Sequence, residues 1–97
     1  VMYITAIGGV APELTVGKST QTVAKQGDEL ILPEIGTVHP LDIKTEVFVV
    51  VYDPDGKGTI AENGKYTFTK KGSHKILITA CDEEGNSSEY YYYTEVV

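Results

Sequence analysis

The 97-residue sequence contains no arginine, no tryptophan and a single cysteine, and its 14 acidic residues outnumber its 8 lysines. The net charge of −6 excludes the basic surface that nucleic acids and anionic membranes require. One cysteine cannot form an intramolecular disulfide or a cysteine-rich metal site. The longest apolar run, at residues 47–52, is far shorter than the roughly 20 residues of a membrane-spanning helix. We therefore predict no nucleic-acid partner and no membrane insertion.

The sequence also lacks the pattern of an amphipathic helix. No stretch of about ten residues places apolar side chains at i, i+3, i+4 and i+7 without an interrupting glycine or proline. Valine, isoleucine, threonine and tyrosine dominate instead, and 10 glycines and 4 prolines divide the chain into short segments. A chain of this length suits one domain with one core. We predict a single all-β domain over residues 1–97.

Short segments of strand character run through the whole chain. They lie at residues 2–7, 13–16, 21–24, 30–35, 45–52, 59–60, 65–69, 74–81 and 89–96. Turn signals separate several of them: Asp-Pro-Asp-Gly at 53–56 favours a tight turn, Asn63-Gly64 predicts a type I′ hairpin, and Gly85-Asn86 closes another connection. The pattern predicts a sandwich or barrel of about eight strands.

The start of the chain leaves a domain boundary open. Residues 3–7, Tyr-Ile-Thr-Ala-Ile, echo residues 92–96, Tyr-Tyr-Thr-Glu-Val. Residues 2–7 are therefore either the first strand of this domain or the last strand of a preceding repeat. In the second case residues 1–10 are a linker or belong to that repeat.

Residues 80–86 read Ala-Cys-Asp-Glu-Glu-Gly-Asn, and they follow the alternating aliphatic residues of 76–80. The order Gly, Ser, alternating aliphatics and Ala-x-Asp-x-x-Gly-Asn over 71–86 resembles bacterial immunoglobulin-like repeats of extracellular proteins. Hyalin-repeat and polycystic-kidney-disease-type modules have a similar pattern. Residues 11–16 resemble the start of such repeats and residues 51–57 their middle strand and turn, so the resemblance covers 11–97.

The resemblance implies an all-β, immunoglobulin-like β-sandwich of seven to eight antiparallel strands. It also implies an extracellular or cell-surface location within a larger secreted protein. The sequence departs from the pattern at His74, where such repeats usually have a tyrosine that bonds backbone at a strand corner. The antibody-type Cys–Trp–Cys core is absent as well, since the chain has no tryptophan.

Catalytic candidates are few. A nucleophile needs a base within about 3 Å and an oxyanion hole. Cys81 and His74 differ in parity along one strand and would point to opposite faces, and His39 precedes a proline in a turn-like segment. The acids at 53–55 and 83–84 lie in turns, where carboxylates are solvated. We predict that the chain is not an enzyme.

The acidic turns raise the question of calcium. Residues 53–64 begin like an EF-hand loop, but Lys57 and Gly64 occupy the fifth and twelfth positions, which need oxygen ligands. A loose site formed by Asp82, Glu83 and Asn86 with a neighbouring loop is one alternative. The other is that these side chains bond their own backbone. We predict no metal and no cofactor.

The most informative feature is a face of aromatic and aliphatic side chains. Strand residues alternate between faces, and the resemblance places Ile76, Ile78 and Ala80 inward, with the odd-numbered valines of 45–52 and Tyr90 and Tyr92 beside them. Three neighbouring strands would then share an apolar outer face. The predicted interaction residues are Phe48, Tyr52, Leu77, Tyr91 and Tyr93, next to Val50 and Cys81.

An exposed apolar patch of several hundred Å² usually contacts something. We therefore predict a non-catalytic extracellular spacer or interaction module, whose partners are neighbouring domains of the same chain and a protein or glycan ligand. One alternative is a carbohydrate-binding module that uses the tyrosines. Another is homotypic adhesion through the same face or through exchange of residues 2–7. The patch could also be covered by a loop, or serve only as cross-strand pairs that stabilise the sheet.

Overall fold

A computed structural model describes residues 11–18 and 21–97 of the chain. The described residues are mostly strand, arranged in two sheets, so the all-β prediction is confirmed. Seven strands occur among them: β1 Glu13–Val16, β2 Val23–Ala24, β3 Ile35–Val38, β4 Thr45–Tyr52, β5 Gly58–Ile60, β6 Gly72–Asp82 and β7 Ser87–Val96. The predicted strand at 2–7 lies outside the described residues. None of the helices in the described part is long and apolar enough to cross a membrane.

The larger sheet has the strand order β2-β7-β6-β4-β5. β-Branched and aromatic residues dominate its three long strands, which suits a pleated and half-buried surface. The predicted strands 45–52, 74–81 and 89–96 are confirmed, although β6 and β7 each begin about two residues earlier. β2 pairs with β7 in parallel, so the expectation of antiparallel strands throughout was wrong at this one pair. A parallel partner is possible here because β2 and β7 are far apart in sequence and need no tight turn.

A second layer covers one face of this sheet. β1 pairs antiparallel with β3, which confirms the strand at 13–16. The strand predicted at 30–35 was wrong, because regular pairing begins only at Ile35. Pro33 has no N–H to give to a ladder, which accounts for the break before that point.

Upstream of Pro33 the second layer is held by single backbone bonds. The N–H of Leu30 donates to the carbonyl of Tyr66, and the N–H of Phe68 donates to the carbonyl of Asp28. An isolated bridge joins Glu29 to Thr67. The strand predicted at 65–69 is therefore reduced to this short pairing.

The core lies between the layers. Ile76, Ile78 and Ala80 have no exposed surface, which confirms the predicted alternation of β6. Val49 and Val51 are buried beside them, and Phe68 and Leu30 close the core from the second layer. Interdigitation of two apolar layers in this way is typical of a β-sandwich.

Two residues predicted in the core are more exposed than expected. Val47 is 40% exposed because it lines an open groove of about 710 Å³ between the layers, beside Leu32 and Ile35. Tyr90 lies on the inner face, opposite Ile78, but is 42% exposed. β2 pairs only with Glu95 and Val96, so it leaves the edge of β7 uncovered at Tyr90.

The turns adopt the conformations that their local sequences predict, with one exception. Asp53 Oδ1 accepts the N–H groups of Asp55 and Lys57, and Gly56 has φ +87°. Asn63 and Gly64 both have positive φ, as a type I′ turn requires, but they belong to a 3₁₀ turn, Glu62–Gly64, rather than to a hairpin. The predicted hairpin was wrong because the chain that follows crosses to the second layer.

Candidate functional site

The candidate site is the outer face of the larger sheet, opposite the core. The register of β4, β6 and β7 places all five predicted interaction residues on it. Phe48, Tyr91 and Tyr93 are 45%, 54% and 55% exposed, whereas Tyr52 and Leu77 are half-buried. The side chains form rows that run across the strands, and each row contains residues directly opposite one another.

The central row of the outer face is apolar. Leu77 lies opposite Tyr91 on one side and opposite Val50 on the other, and Val50 lies opposite Ile60 of β5. Ile60 is 62% exposed. Sequence reasoning missed Ile60 because a two-residue strand signal did not show which strand it would join. We call these four residues the apolar row.

The next row holds a lysine between two tyrosines. Lys75 lies opposite Tyr52 and opposite Tyr93. Its Nζ is 4.5 Å from the centre of the Tyr91 ring and 6.0 Å from the centre of the Tyr52 ring. Cation–π attraction therefore holds the lysine among the rings. Sequence reasoning also missed Lys75, although the parity that faced Leu77 outward applies equally to residue 75.

Gly58 completes this row at the sheet edge. A Cβ atom at Gly58 would lie 2.9 Å from Cε1 of Tyr52, so the ring covers the space that the glycine leaves. The tyrosine protects an edge position that has no side chain of its own. Part of the surface of Tyr52 is therefore used inside the domain.

On the other side of the apolar row lies a mixed row. Thr79 lies opposite Phe48 and opposite Glu89. The outer face thus carries Lys75 on one side of its apolar centre and Glu89 on the other. Two further exposed acids lie in the flanking rows of this face, Glu46 opposite Cys81 and Glu95 opposite Ser73. Lys75 is its only lysine in the paired register of β4, β5, β6 and β7.

The tyrosine rings do not form a flat platform. The rings of Tyr91 and Tyr93 are 5.9 Å apart and inclined at 81°, so they meet edge to face. Lys75 lies over the Tyr91 ring. A sugar that stacks on an aromatic side chain needs a free ring face, and at Tyr91 the lysine occupies one.

The residues considered for nucleophilic catalysis do not form a site. His74 is buried in the core, and Cys81 lies on the outer face, as their parity predicted. His39 Nδ1 accepts the N–H of Leu41 at 3.0 Å, and His39 Nε2 bonds Asp82 Oδ2 at 2.8 Å. Because Nδ1 accepts, Nε2 must carry the hydrogen and donate it to the carboxylate. Both ring nitrogens are thus engaged within the fold.

Asp82 is the centre of a buried polar cluster. Its Oδ1 accepts the N–H groups of Glu84 and Asn86, each at 2.9 Å, and its Oδ2 accepts from His39. Burial raises the pKa of Asp82, but the hydrogen bonds from His39, Asn86 and Glu84 outweigh burial, so this pKa lies below its ordinary value. Of the two interpretations of residues 82–86, the geometry supports turn chemistry.

The loop at 53–57 contains its own cation. Lys70 Nζ lies 2.8 Å from Asp55 Oδ2 and 3.3 Å from Asp53 Oδ2. The hydrogen bonds to Asp55 and Asp53 raise the pKa of Lys70, and the backbone N–H of Lys57 contributes most to lowering the pKa of Asp53. Among the described residues, no three His, Cys, Asp or Glu side chains group as metal ligands.

His74 occupies the position at which the resembled repeats carry tyrosine. Its Nδ1 lies 3.1 Å from the carbonyl oxygen of Gly72, two residues upstream, and its ring meets Phe68 edge to face at 5.1 Å. Its Nε2 has no hydrogen-bond partner. The imidazole is therefore a packing residue of the core with one local bond.

Comparison with known proteins does not assign the chain to a family. No family model matches it, and no curated protein matches it either. The outer face and the Asp82 cluster are therefore interpreted from their own geometry.

Proposed function

We propose that this chain is an immunoglobulin-like sandwich that serves as a non-catalytic spacer and interaction module in a larger bacterial surface or secreted protein. The observation that carries the proposal is that Pro12 and Val97 contact opposite ends of β7, so the length of the sheet separates them.

The contacts of β7 set this separation. Where β7 begins, Ser88 Oγ donates to the carbonyl of Pro12. Where it ends, the N–H of Val97 donates to the carbonyl of Ala24. A ten-residue strand that rises about 3.3 Å per residue separates these points by roughly 30 Å. The long dimension of the molecule is 51 Å, against 24 and 20 Å across it.

The immunoglobulin-like part of the proposal rests on topology together with the sequence resemblance. Two layers enclose one core, and the short β2 adds in parallel to the last strand, β7. The turn at 82–86 is built around Asp82, the most specific residue of the resembled pattern. The extracellular location rests on the resemblance alone.

The hydrogen bonds made by the polar side chains support the non-catalytic part of the proposal. His39 and Asp82 are hydrogen-bonded to each other, and each also accepts a hydrogen bond from a backbone N–H group. Cys81 Sγ donates to the carbonyl of Asp82 at 3.4 Å. The outer face, with its exposed aromatic residues, is then the surface that remains for contact with a partner.

The spacer geometry predicts a long and narrow distance between labels at the two ends. In a Cys81→Ser background, spin labels at Glu13→Cys and Val97→Cys should give a narrow distribution near 30 Å by pulsed electron paramagnetic resonance. Labels at Glu13→Cys and Ser87→Cys provide the control and should lie much closer. A broad distribution for the end-to-end pair, or one below about 20 Å, would contradict a rigid spacer.

The ring geometry predicts no selective glycan binding. The purified domain should give no reproducible signal on a broad glycan array, with or without calcium, because its tyrosines do not form a flat platform. The double variant Tyr91→Ala, Tyr93→Ala is the matched reference. Selective binding by the wild type that this variant loses would replace the spacer proposal with a carbohydrate-binding module.

A further inference from the structure

We propose that residues 89–93 of β7, which we call the open edge, bind an extended, cationic segment of another protein as a further strand of the larger sheet. This inference rests on the proposed function, since it assumes that the module contacts a protein partner. It adds the surface, the mode of binding and the chemistry of the partner.

β2 covers only the last part of β7. The N–H groups of Glu95 and Val97 donate to carbonyl groups of residues 22–24, on the side of β7 that faces away from β6. Backbone groups alternate between the two sides of a strand, so those of every second residue of the open edge point the same way. These residues are Glu89, Tyr91 and Tyr93. Within residues 11–18 and 21–97, no backbone hydrogen bond reaches them on this side.

The open edge lacks the features that usually protect an edge strand. Natural sheets protect their edges with short strands, lysine, proline or bulges. β7 is ten residues long and pairs with β6 without a bulge, and its sequence contains no lysine and no proline. The opposite edge strand, β5, has only three residues, and Tyr52 covers its glycine. An unprotected edge of this length is a template for strand addition by an extended peptide.

The side chains along β7 determine the charge of the partner. Glu89 and Glu95 are exposed on the outer face, and β7 contains no cationic residue. The rings of Tyr91 and Tyr93 are 54% and 55% exposed, and the Tyr91 ring already attracts Lys75 Nζ at 4.5 Å. Carboxylates and tyrosine rings both favour a cation. A strand added beside β7 would therefore carry lysine or arginine on the side that faces outward.

The inner side of the open edge favours an apolar side chain instead. Side chains of an added strand alternate between the two faces of the sheet. Those that point inward would lie beside Tyr90, which is 42% exposed because β2 does not reach it. An apolar side chain would remove this ring surface from water. The partner is therefore a segment of alternating cationic and apolar residues, about five residues or 17 Å long.

A second copy of this chain does not supply such a segment. Its β7 carries two glutamates and no cation, and each copy has a net charge of −6. Like charges across a pair of strands oppose their association. Another protein with a basic strand meets the requirement, and the test distinguishes the two occupants.

Hydrogen exchange of backbone amides, followed by nuclear magnetic resonance on the 97-residue chain, tests the inference directly. The probe is a seven-residue peptide of alternating lysine and valine with both ends blocked. In the free chain the N–H groups of Tyr91 and Tyr93 should exchange fast, whereas that of Tyr90, which faces β6, should exchange slowly. Peptide at ten times its dissociation constant should slow exchange at Glu89, Tyr91 and Tyr93 by about tenfold and leave Tyr90 unchanged.

Two control peptides separate strand addition from simple attraction of charge. A peptide with methylated backbone nitrogens keeps the lysines but cannot donate to the open edge, so it should give no protection. A peptide with glutamate in place of lysine should not bind. Equal protection by the methylated peptide would contradict strand addition.

A pair of variants tests the position of the charge. Glu89→Lys should raise the dissociation constant of the lysine–valine peptide by about fivefold. Glu46→Lys makes the same change of charge at an exposed position of the outer face on β4, away from β7, and should leave the constant near the wild-type value. Thermal unfolding of both variants monitors folding. Equal effects of the two variants would contradict binding at the open edge.

Three further results would overturn the inference. The first is the absence of protection at millimolar peptide. The second is slow exchange at Tyr91 and Tyr93 in the dilute free chain, which would show that another part of the same chain covers the open edge. The third is protection that rises with protein concentration alone, which would assign the edge to a second copy. The end-to-end label distance is unaffected in each case, so the spacer proposal stands or falls separately.

Discussion

Replacing Phe68 by alanine is expected to lower the free energy of unfolding by about 3–5 kcal/mol. Phe68 has no exposed surface and is the largest fully buried side chain among the described residues. Its ring packs edge to face against His74 at 5.1 Å and against Tyr66 at 5.4 Å. Truncation would leave a cavity between the two layers, and the backbone bonds at Asp28 and Gly27 limit how far the layer can collapse into it.

Urea denaturation followed by far-ultraviolet circular dichroism measures this change. Phe48→Ala is the matched control, since it removes the same side chain from the outer face, where it is 45% exposed. We expect the control to lose less than half as much stability as Phe68→Ala. A small domain has only about 5–15 kcal/mol in total, so Phe68→Ala should unfold at far lower urea concentration. Equal losses for the two variants would show that the second layer is not packed as described.

Replacing Asp82 by alanine should produce the second large effect, a fall in melting temperature of the order of 10 °C. Alanine leaves the N–H groups of Glu84 and Asn86 without their acceptor and leaves buried His39 without its partner. The side chains of His39 and Asp82 are 2% and 0% exposed, so water replaces these bonds poorly. Glu83→Ala, an exposed neighbour in the same turn, should change the melting temperature little.

Asp82 should also make the domain sensitive to acid. Its pKa is lower in the folded chain than in the unfolded chain, so the unfolded state takes up the proton first as the pH falls. The stabilisation by Asp82 is therefore complete above the ordinary carboxyl pKa and is lost below about pH 4. Melting temperatures measured from pH 7 to pH 2 should fall less steeply for Asp82→Asn than for the wild type. Parallel profiles would contradict this role.

Asp82→Asn also separates the contribution of the turn N–H groups from that of the contact with His39. The amide oxygen can still accept the two N–H groups of the turn, whereas the amide nitrogen meets the N–H that His39 donates. At neutral pH we therefore expect Asp82→Asn to lie between the wild type and Asp82→Ala. A variant as unstable as Asp82→Ala would assign most of the effect to the contact with His39.

Local patterns predicted much of the sandwich. Alternation in β6 identified Ile76, Ile78 and Ala80 as core residues, and these have no exposed surface. The strand at 45–52 agrees with β4 to the residue. Such signals are visible in one segment, because the side-chain period of a strand is set by its own backbone.

Other features could not be read from local patterns. The strand was predicted at 30–35, whereas β3 occupies Ile35–Val38. Its pairing depends on where β1 lies and on the missing N–H of Pro33. His39 and Asp82 are 43 positions apart, and no spacing rule joins them. Val47 was placed in the core by parity, but only the second layer determines which inward positions it covers.

The composition and periodicity of this sequence alone determined an all-β chain with outward-facing tyrosines, because alternation assigns each residue of a strand to a face. Only the tertiary structure decided which residues share a row. The register across β7, β6, β4 and β5 places Lys75 between Tyr52 and Tyr93 and extends the apolar row to Ile60. That register is set by long-range backbone hydrogen bonds and by core packing, which join segments that carry no local signal for one another.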